Sequence, residues 1–550
     1  MHTFLALLSS STLTRLVFFP AIACIPLLFA RREATRAVKV YTLLVSLVEL
    51  ALAVYFVFNH ILPGGHFQAL RDLGATGARI GWIPAYGIYY DLGIDGISMP
   101  LVLLTTLLLP LVILGSWRGI TKHWRGYAIS LLLLTTGMLG AFLAFDLFLF
   151  YVFWELMLIP MYLIIGIWGG ERRIYAAVKF FLFTMTGSLL MLLAILWLAW
   201  TFHATAGHWS FAYADLLRLD LPLHQQLWLF GAFALAFAIK VPMFPFHTWL
   251  PDAHFEAPTG GSVILAGVLL KLGTYGFLRF ALPMFPHAAQ KAQPLLITLA
   301  VIGILYGALV SWVQTDMKKM VAYSSVAHLG FVMLGLLAFD SIAWQGSLIQ
   351  MINHGLSTGA LFLLVGMIYD RRHTKEFSEF GGLAKVMPWF AFFLVFSALA
   401  SVGLPLLNGF VGEFMILTGT YRAHLVLPAI LATFGVVLAA VYLLKLLLKT
   451  LWGPITKEEN RGLHDLSLRE IVTMVPLCLL MLAIGVAPGI FLKPSEQSVT
   501  TLLNYYHRRV ATEPAKAHVA RLLPESLVAP LAIPSPPQGN TRIAQRGDGR

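Results

Sequence analysis

The chain has 550 residues, 59% of them hydrophobic and only 12% charged, with a net charge of +12. That balance excludes a water-soluble globular enzyme and marks a polytopic membrane protein. No basic face on a folded soluble domain is legible, so the charge does not point to nucleic acid as a partner.

Fourteen apolar segments follow one another, near 3–30, 39–58, 96–116, 126–144, 147–168, 178–202, 227–246, 259–281, 294–313, 319–338, 341–368, 386–419, 426–448 and 470–492. Most reach the roughly 20 residues that a helix needs to cross a bilayer. Period-two alternation is absent, which argues against a barrel and predicts an all-α fold of about fourteen transmembrane helices. The first segment lacks a basic leader and its basic cluster comes after it, so it is expected to be retained as a span. Segment 86–100, with Asp91 and Asp95 among aromatics, suits an amphipathic stretch at the membrane surface. Spans one to three and fourteen are expected to lack interior acidic groups. From Lys493 onward the chain is rich in Pro, Ala and Arg, and beyond about Glu513 disorder is expected.

Basic residues orient the spans. With the N-terminus outside, twenty Lys and Arg from Arg31 to Arg469 fall in cytoplasmic loops, against Arg71, Arg79, Arg218, Lys291 and Arg422 opposite. Both termini are therefore expected on the non-cytoplasmic side. Cys24 and Cys478 lie in separate apolar spans with no CxxC spacing, and neither GxGxxG nor a P-loop occurs. No metal, iron–sulfur or nucleotide site is expected in this chain.

Two charges sit where a membrane helix should have none. Lys240 lies in 227–246, followed by Pro242 and Pro245; Glu413 lies in 392–418, preceded by Gly403, Pro405, Gly409 and Gly412. A charge at mid-bilayer costs roughly 2.5–3.5 kcal/mol on insertion scales. Interrupted helices are tolerated there only where protein or trapped water satisfies the freed backbone. The combination predicts proton or small-ion movement. Spans four to eight (126–283) and nine to thirteen (294–451) form two five-helix blocks with the broken helix fourth in each. An odd helix number makes the second block an inverted repeat of the first. The remaining units are 1–125, the last span 470–492, and the tail 493–550.

Other buried ionisable residues extend the pattern. Glu155 lies about eight residues into the fifth span and is paired here with Lys240. Desolvation disfavours an ammonium and an adjacent carboxylate favours it, so the pair can load and release one proton. Lys271 is mid-span among Gly267, Gly273 and Gly276. His328 and His354, in consecutive spans of the second block, read as relay members between a central lysine and Glu413. Asn353, Ser324, Ser325 and Ser357 are candidates to hold connecting waters. Arg279 reads as an interfacial anchor, and Lys445 as either a relay member or a snorkelling lysine.

These strings resemble the subunit M family of antiporter-like subunits in the proton-pumping NADH:quinone oxidoreductase, respiratory complex I. The resemblance is carried by LGIDGIS at 92–98, FWELMLIPMYLIIGIWGG at 153–170, KVPMFPFHTWLPDAHFEAPTGGSVILAGVLLKLGTYGFLRF at 240–280, DMKKMVAYSSVAHLGF at 316–331, NHGLSTGALFLLVGMIYDRRHT at 353–374 and GLPLLNGFVGEF at 403–414. It covers roughly 86–493. It implies a proton relay through Glu155, Lys240, Lys271, His328, His354 and Glu413. It also implies partnership with other membrane-arm subunits, two antiporter-like paralogues among them, in an energy-coupling membrane, the bacterial inner membrane. NADH, FMN, iron–sulfur clusters and quinone would be handled by those other subunits. The alternative is a subunit of a cation/proton antiporter complex, which shares the fold and similar Glu and Lys positions.

Overall fold

The structure is a computed structural model that describes residues 11–31, 34–72, 79–515 and 520–531. Residues 3–10 of the first expected span, and 516–519 and 532–550 of the tail, lie outside the described residues.

Helices occupy every segment that hydropathy singled out. In chain order they are α1 (Thr12–Phe29), α2 (Thr35–Asn59), α3 (Met99–Gly115), α4 (Trp124–Leu143), α5 (Leu147–Trp168), α6 (Arg173–Ala206), α7 (Leu223–Lys240) and α8 (Trp249–Glu256). There follow α9 (Thr259–Met284), α10 (Pro286–Val313), α11 (Met317–Leu337), α12 (Ser341–Arg372), α13 (Pro388–Val402), α14 (Asn408–Arg422), α15 (Val426–Thr450), α16 (Leu468–Val486) and α17 (Pro488–Ala511). Among the described residues, eleven are long and apolar enough to cross a membrane alone. Of the other three segments, α3 is a shorter apolar helix, 227–246 holds α7 and the turn after it, and 386–419 is split into α13 and α14.

Asp146, Asp316 and Asp340 begin α5, α11 and α12 by accepting the free amides of the first turn. Burial separates centre from rim. The most apolar windows of α9 and α12 are wholly buried, whereas those of α6 and α15 are 39% and 33% buried. The centre is therefore where polar side chains depend on one another, and the rim is left for lipid or protein.

Several expectations need correcting. Segment 86–100 is no surface helix: Ile88–Tyr90 and Gly93–Ile94 are strands paired with Ile80–Ile83 and Leu70–Arg71. Its aspartates are buried, Asp91 against Arg71 and Asp95 against Arg279. The second span does hold an acid. Glu49 is fully buried on α2, with neither carboxyl oxygen bonded among the described residues. The last span stops at Val486, and Pro488 starts α17, which runs on through the supposed tail. Past it, Arg521–Leu522 pairs with Leu219–Asp220, and Asp220 binds Arg521 (2.6 Å) and Arg509 (3.3 Å). The described residues beyond Glu513 are thus tied to the helices.

Candidate functional site

The two helix breaks fall where Pro and Gly predicted, and each satisfies itself. At the end of α7, the carbonyls of Phe237, Ala238 and Ile239 accept from Val241 N (2.8 Å), Met243 N (2.9 Å) and Trp249 Nε1 (2.9 Å). Lys240 is the last residue of that helix, 2% exposed. At the second break, Gly403 ends α13 with φ +86°, a conformation that glycine adopts without strain. A side chain at Gly409 would collide with the Ala400 carbonyl, so the restarted helix can cross only as glycine. Asn353 and Asn408 then bond each other's carbonyls at 2.7 and 3.3 Å, locking α12 to the first turn of α14. These constraints carry Glu413 into the interior.

Glu413 is 3% exposed. Its Oε1 accepts from His328 Nδ1 at 2.9 Å and from Gln350 Nε2 at 3.1 Å, while Oε2 has no partner among the described residues. His328 Nε2 faces two hydroxyls, Tyr442 at 3.1 Å and Ser401 at 3.2 Å. The His354 ring lies 5.8 Å from that of His328, centroid to centroid. His354 Nδ1 is 2.6 Å from Lys271 Nζ, and its Nε2 has no partner among the described residues. Lys271 also donates to the Ala266 carbonyl. That carbonyl lies in the first of two π-helical turns, Leu265–Leu269 and Phe277–Ala281, which bracket the lysine on α9. A widened turn frees carbonyls that an α-helix would use internally.

Four of the six expected residues therefore form one buried line: Lys271, His354, His328 and Glu413. The other two stand apart. Lys240 is buried over the rings of Trp154 (5.2 Å) and Phe180 (5.6 Å). The charge of Glu155 acts on it, but among the described residues no ion pair joins them. Glu155 is only half-buried, with Oε1 unbonded. Among the proposed water-holding groups, Ser324 and Ser325 bond back to the carbonyl of Val321 in their own helix.

Arg279 is no interfacial anchor. It is 4% exposed, and its Nη2 lies 2.6 Å from both oxygens of Asp95. Lys445 is half-buried, and its Nζ caps α10 through the carbonyls of Trp312 (2.5 Å) and Gln314 (2.8 Å).

Several site groups escaped the sequence reading. Gln350, Ser401 and Tyr442 looked like ordinary apolar-helix polar residues. His254, in HTWLPDAHFEAPT, is fully buried, its ring nitrogens have no partner among the described residues, and it is stacked on Phe362 at 4.6 Å. The charges of Lys318 and Lys271 both act on it. Lys318 donates to the Ala257 carbonyl at 2.5 Å and lines a cavity of about 230 Å³ with Ser116, Glu256, Thr259, Tyr369 and Asp370. A pair of histidines, His247 and His254, in one short string was the signal available for His254.

This arrangement can be set beside known proteins. The family described as "NADH:quinone oxidoreductase/Mrp antiporter, TM" matches residues 144–439, and "NADH-ubiquinone oxidoreductase chain 4, amino terminus" matches 82–145. NADH-quinone oxidoreductase subunit M of Rickettsia prowazekii is 42% identical over 492 residues, covering 88% of this chain and 97% of its own. The chain belongs to the NADH-quinone oxidoreductase subunit M family. The Rhodobacter capsulatus subunit M is 45% identical over 86% of this chain and 90% of its own. A chain of respiratory complex I from Thermus thermophilus superposes with a TM-score of 0.80 at 34% identity, covering 91% of this chain and all of that one. A chain of the Mrp complex from Dietzia sp. reaches 0.77 at 20% identity, which shows a shared fold alone. Membership and the eleven apolar helices make this an integral membrane protein with the antiporter-like fold of complex I.

Proposed function

We propose that this chain is the membrane-arm subunit that translocates protons through Glu155, Lys240, Lys271, His354, His328 and Glu413, driven by electron transfer in other subunits. The observation that carries this reading is the buried line from Lys271 to Glu413, whose members touch in pairs at 2.6 and 2.9 Å. Lysine and imidazole each exchange one proton without a change of bonding elsewhere. Among the described residues no carboxylate is bonded to Lys271, and His354 Nδ1 is the group placed to take its proton. His354 Nε2, free of protein partners among the described residues, then reaches His328 by a ring turn or one bridging water. The cavity beside Lys318 serves as the intake, with His254 between it and Lys271. Glu413, next to the second break, serves the exit.

Matched breaks at the fourth helix of 126–283 and 294–451 support reading these blocks as inverted repeats. The chain sits with both termini outside the cytoplasm, in a bacterial inner membrane, beside other membrane-arm subunits that include two paralogues. NADH, FMN, iron–sulfur clusters and quinone are assigned to those other subunits. The test is Lys271→Ala in the assembled complex, with quinone turnover and proton uptake measured together in inverted vesicles. Loss of proton uptake with assembly intact is expected. An unchanged proton-to-electron ratio at full turnover would overturn the reading.

A further inference from the structure

Along the line from Lys271 to Glu413, every hydrogen-bond partner among the described residues except two has a fixed polarity. The Ala266 carbonyl only accepts, and the Gln350 amide nitrogen only donates. The exceptions are the hydroxyls of Ser401 and Tyr442, which face the same ring nitrogen of His328 at 3.2 and 3.1 Å. They arrive on different helices, Ser401 in the last turn of α13 before the break and Tyr442 on α15. Both are buried, at 3% and 0% exposure. A hydroxyl can donate or accept by rotating about one bond.

We propose that Ser401 and Tyr442 are positioning residues that let His328 change protonation state without ever losing a hydrogen bond. This rests on reading His328 and Glu413 as proton carriers. In the neutral ring a hydroxyl donates to Nε2, which fixes the remaining proton on Nδ1 and aims it at Glu413 Oε1, 2.9 Å away. When a proton arrives, it occupies Nε2 and the hydroxyl turns to accept it. The Nδ1 proton then passes to the carboxylate, which becomes a neutral acid, and the ring is left neutral with its proton on Nε2. Nδ1 now accepts from the acid that it has just protonated. Once Glu413 gives up that proton, the Nδ1 lone pair faces a carboxylate while Nε2 still carries its proton, so the ring must change tautomer before the next transfer: the Nε2 proton moves to Nδ1 and the hydroxyl turns back to donate to Nε2. With that reset, one proton enters at Nε2 and one leaves from Nδ1 in each cycle.

The groups facing His328 are few. They are His354 from α12, Glu413 from α14, Ser401 from α13 and Tyr442 from α15; Gln350 reaches the ring through Glu413, and Ser324 shares a hydrogen bond with the Tyr442 hydroxyl. His254 on α8 acts at one remove, through His354. Had a backbone carbonyl faced Nε2, the ring would be held charged; had an amide N–H faced it, the ring would be held neutral. Two hydroxyls make the position indifferent. Nε2 uses one partner at a time, so each hydroxyl can stand in for the other.

The experiment uses the intact complex in inverted vesicles carrying Ser401→Ala, Tyr442→Phe, both together, and Ser401→Thr with Tyr442→Phe. Proton uptake and turnover are followed against pH. Each single variant should lose no more than about threefold, and the double variant about tenfold or more, because a charged ring then lacks one charge-assisted bond. The alkaline limb of the double variant should move to lower pH, and the threonine variant should recover both rate and limb. A double variant with native rate and limb, alongside an inactive His328→Ala complex, overturns the positioning role and leaves the relay standing. A fully active His328→Ala complex overturns both. If the double variant fails to assemble, Ser401→Cys with Tyr442→Phe takes its place, since a thiol is a near-isosteric but weak donor and acceptor: a displaced limb supports the proposal and a native limb overturns it.

Discussion

Replacing Glu413 by glutamine separates what its carboxyl holds from what it carries. Oε1 accepts two bonds, from His328 Nδ1 at 2.9 Å and Gln350 Nε2 at 3.1 Å, and the side chain is 4% exposed. A bond to an ionised group is worth about 1.5–3 kcal/mol, so removing the acceptor, as in Glu413→Ala, costs roughly 3–6 kcal/mol unless water refills the site. The amide oxygen of Glu413→Gln can accept both bonds but cannot take up a proton. We therefore expect Glu413→Ala to lower both the amount of assembled complex and its activity. Glu413→Gln should assemble normally, melt within about 1–2 kcal/mol of the native complex, and lose proton uptake. Native gels, thermal melts and simultaneous turnover and proton-uptake traces read the three quantities. Normal uptake in assembled Glu413→Gln complex would falsify the claim that this carboxyl titrates during turnover.

Three further outcomes follow from the same structure. Arg279→Met or Asp95→Leu alone should cost about 3–5 kcal/mol and reduce assembly, while the two together should recover most of it, because a lone buried charge is worse than none; native melting of either single variant would rule this out. Lys445→Met should remove about 1 kcal/mol by uncapping α10 and leave proton uptake untouched, so an uptake defect in well-assembled complex would restore a relay role. Asp215 lies in the loop before α7, where burial alone would raise its carboxyl, but bonds from Arg79 (3.0 Å to Oδ1) and Ser210 (2.6 Å) hold it below the usual carboxylate range. A depressed acid stabilises the fold above its unfolded value and loses that contribution as pH falls through the folded value. The melting difference between native and Asp215→Asn complex, about 1 kcal/mol at neutral pH, should therefore vanish below the ordinary carboxylate range, and a difference that persists in acid would contradict the assignment.

Hydropathy located the helices because a bilayer imposes its length on each apolar run, and that constraint is local in sequence. The breaks after Lys240 and Val402 were equally legible, since Pro and Gly act on their own backbone. So was the identity of Lys271, His328, His354 and Glu413 as groups too costly to bury idly. Partnership is a different kind of fact. Arg279 looked like an anchor because its distance from a span end is written in the sequence, whereas the Asp95 carboxylate that meets it lies 184 residues away. Lys445 is equally blind to the α10 carbonyls, 131 and 133 residues upstream, that it caps. Glu49 and Lys240 are both single charges in apolar helices, yet only packing shows the first without any bonded group and the second over aromatic rings under the influence of Glu155. Ser401 and Tyr442 carry no sequence signal, because hydroxyls in membrane helices commonly bond their own backbone. Length, hydropathy and backbone chemistry thus determined which residues are buried and where helices stop. Which buried groups face one another was decided only by tertiary packing, since a hydrogen bond depends on distances of a few tenths of an ångström that no spacing along the chain encodes.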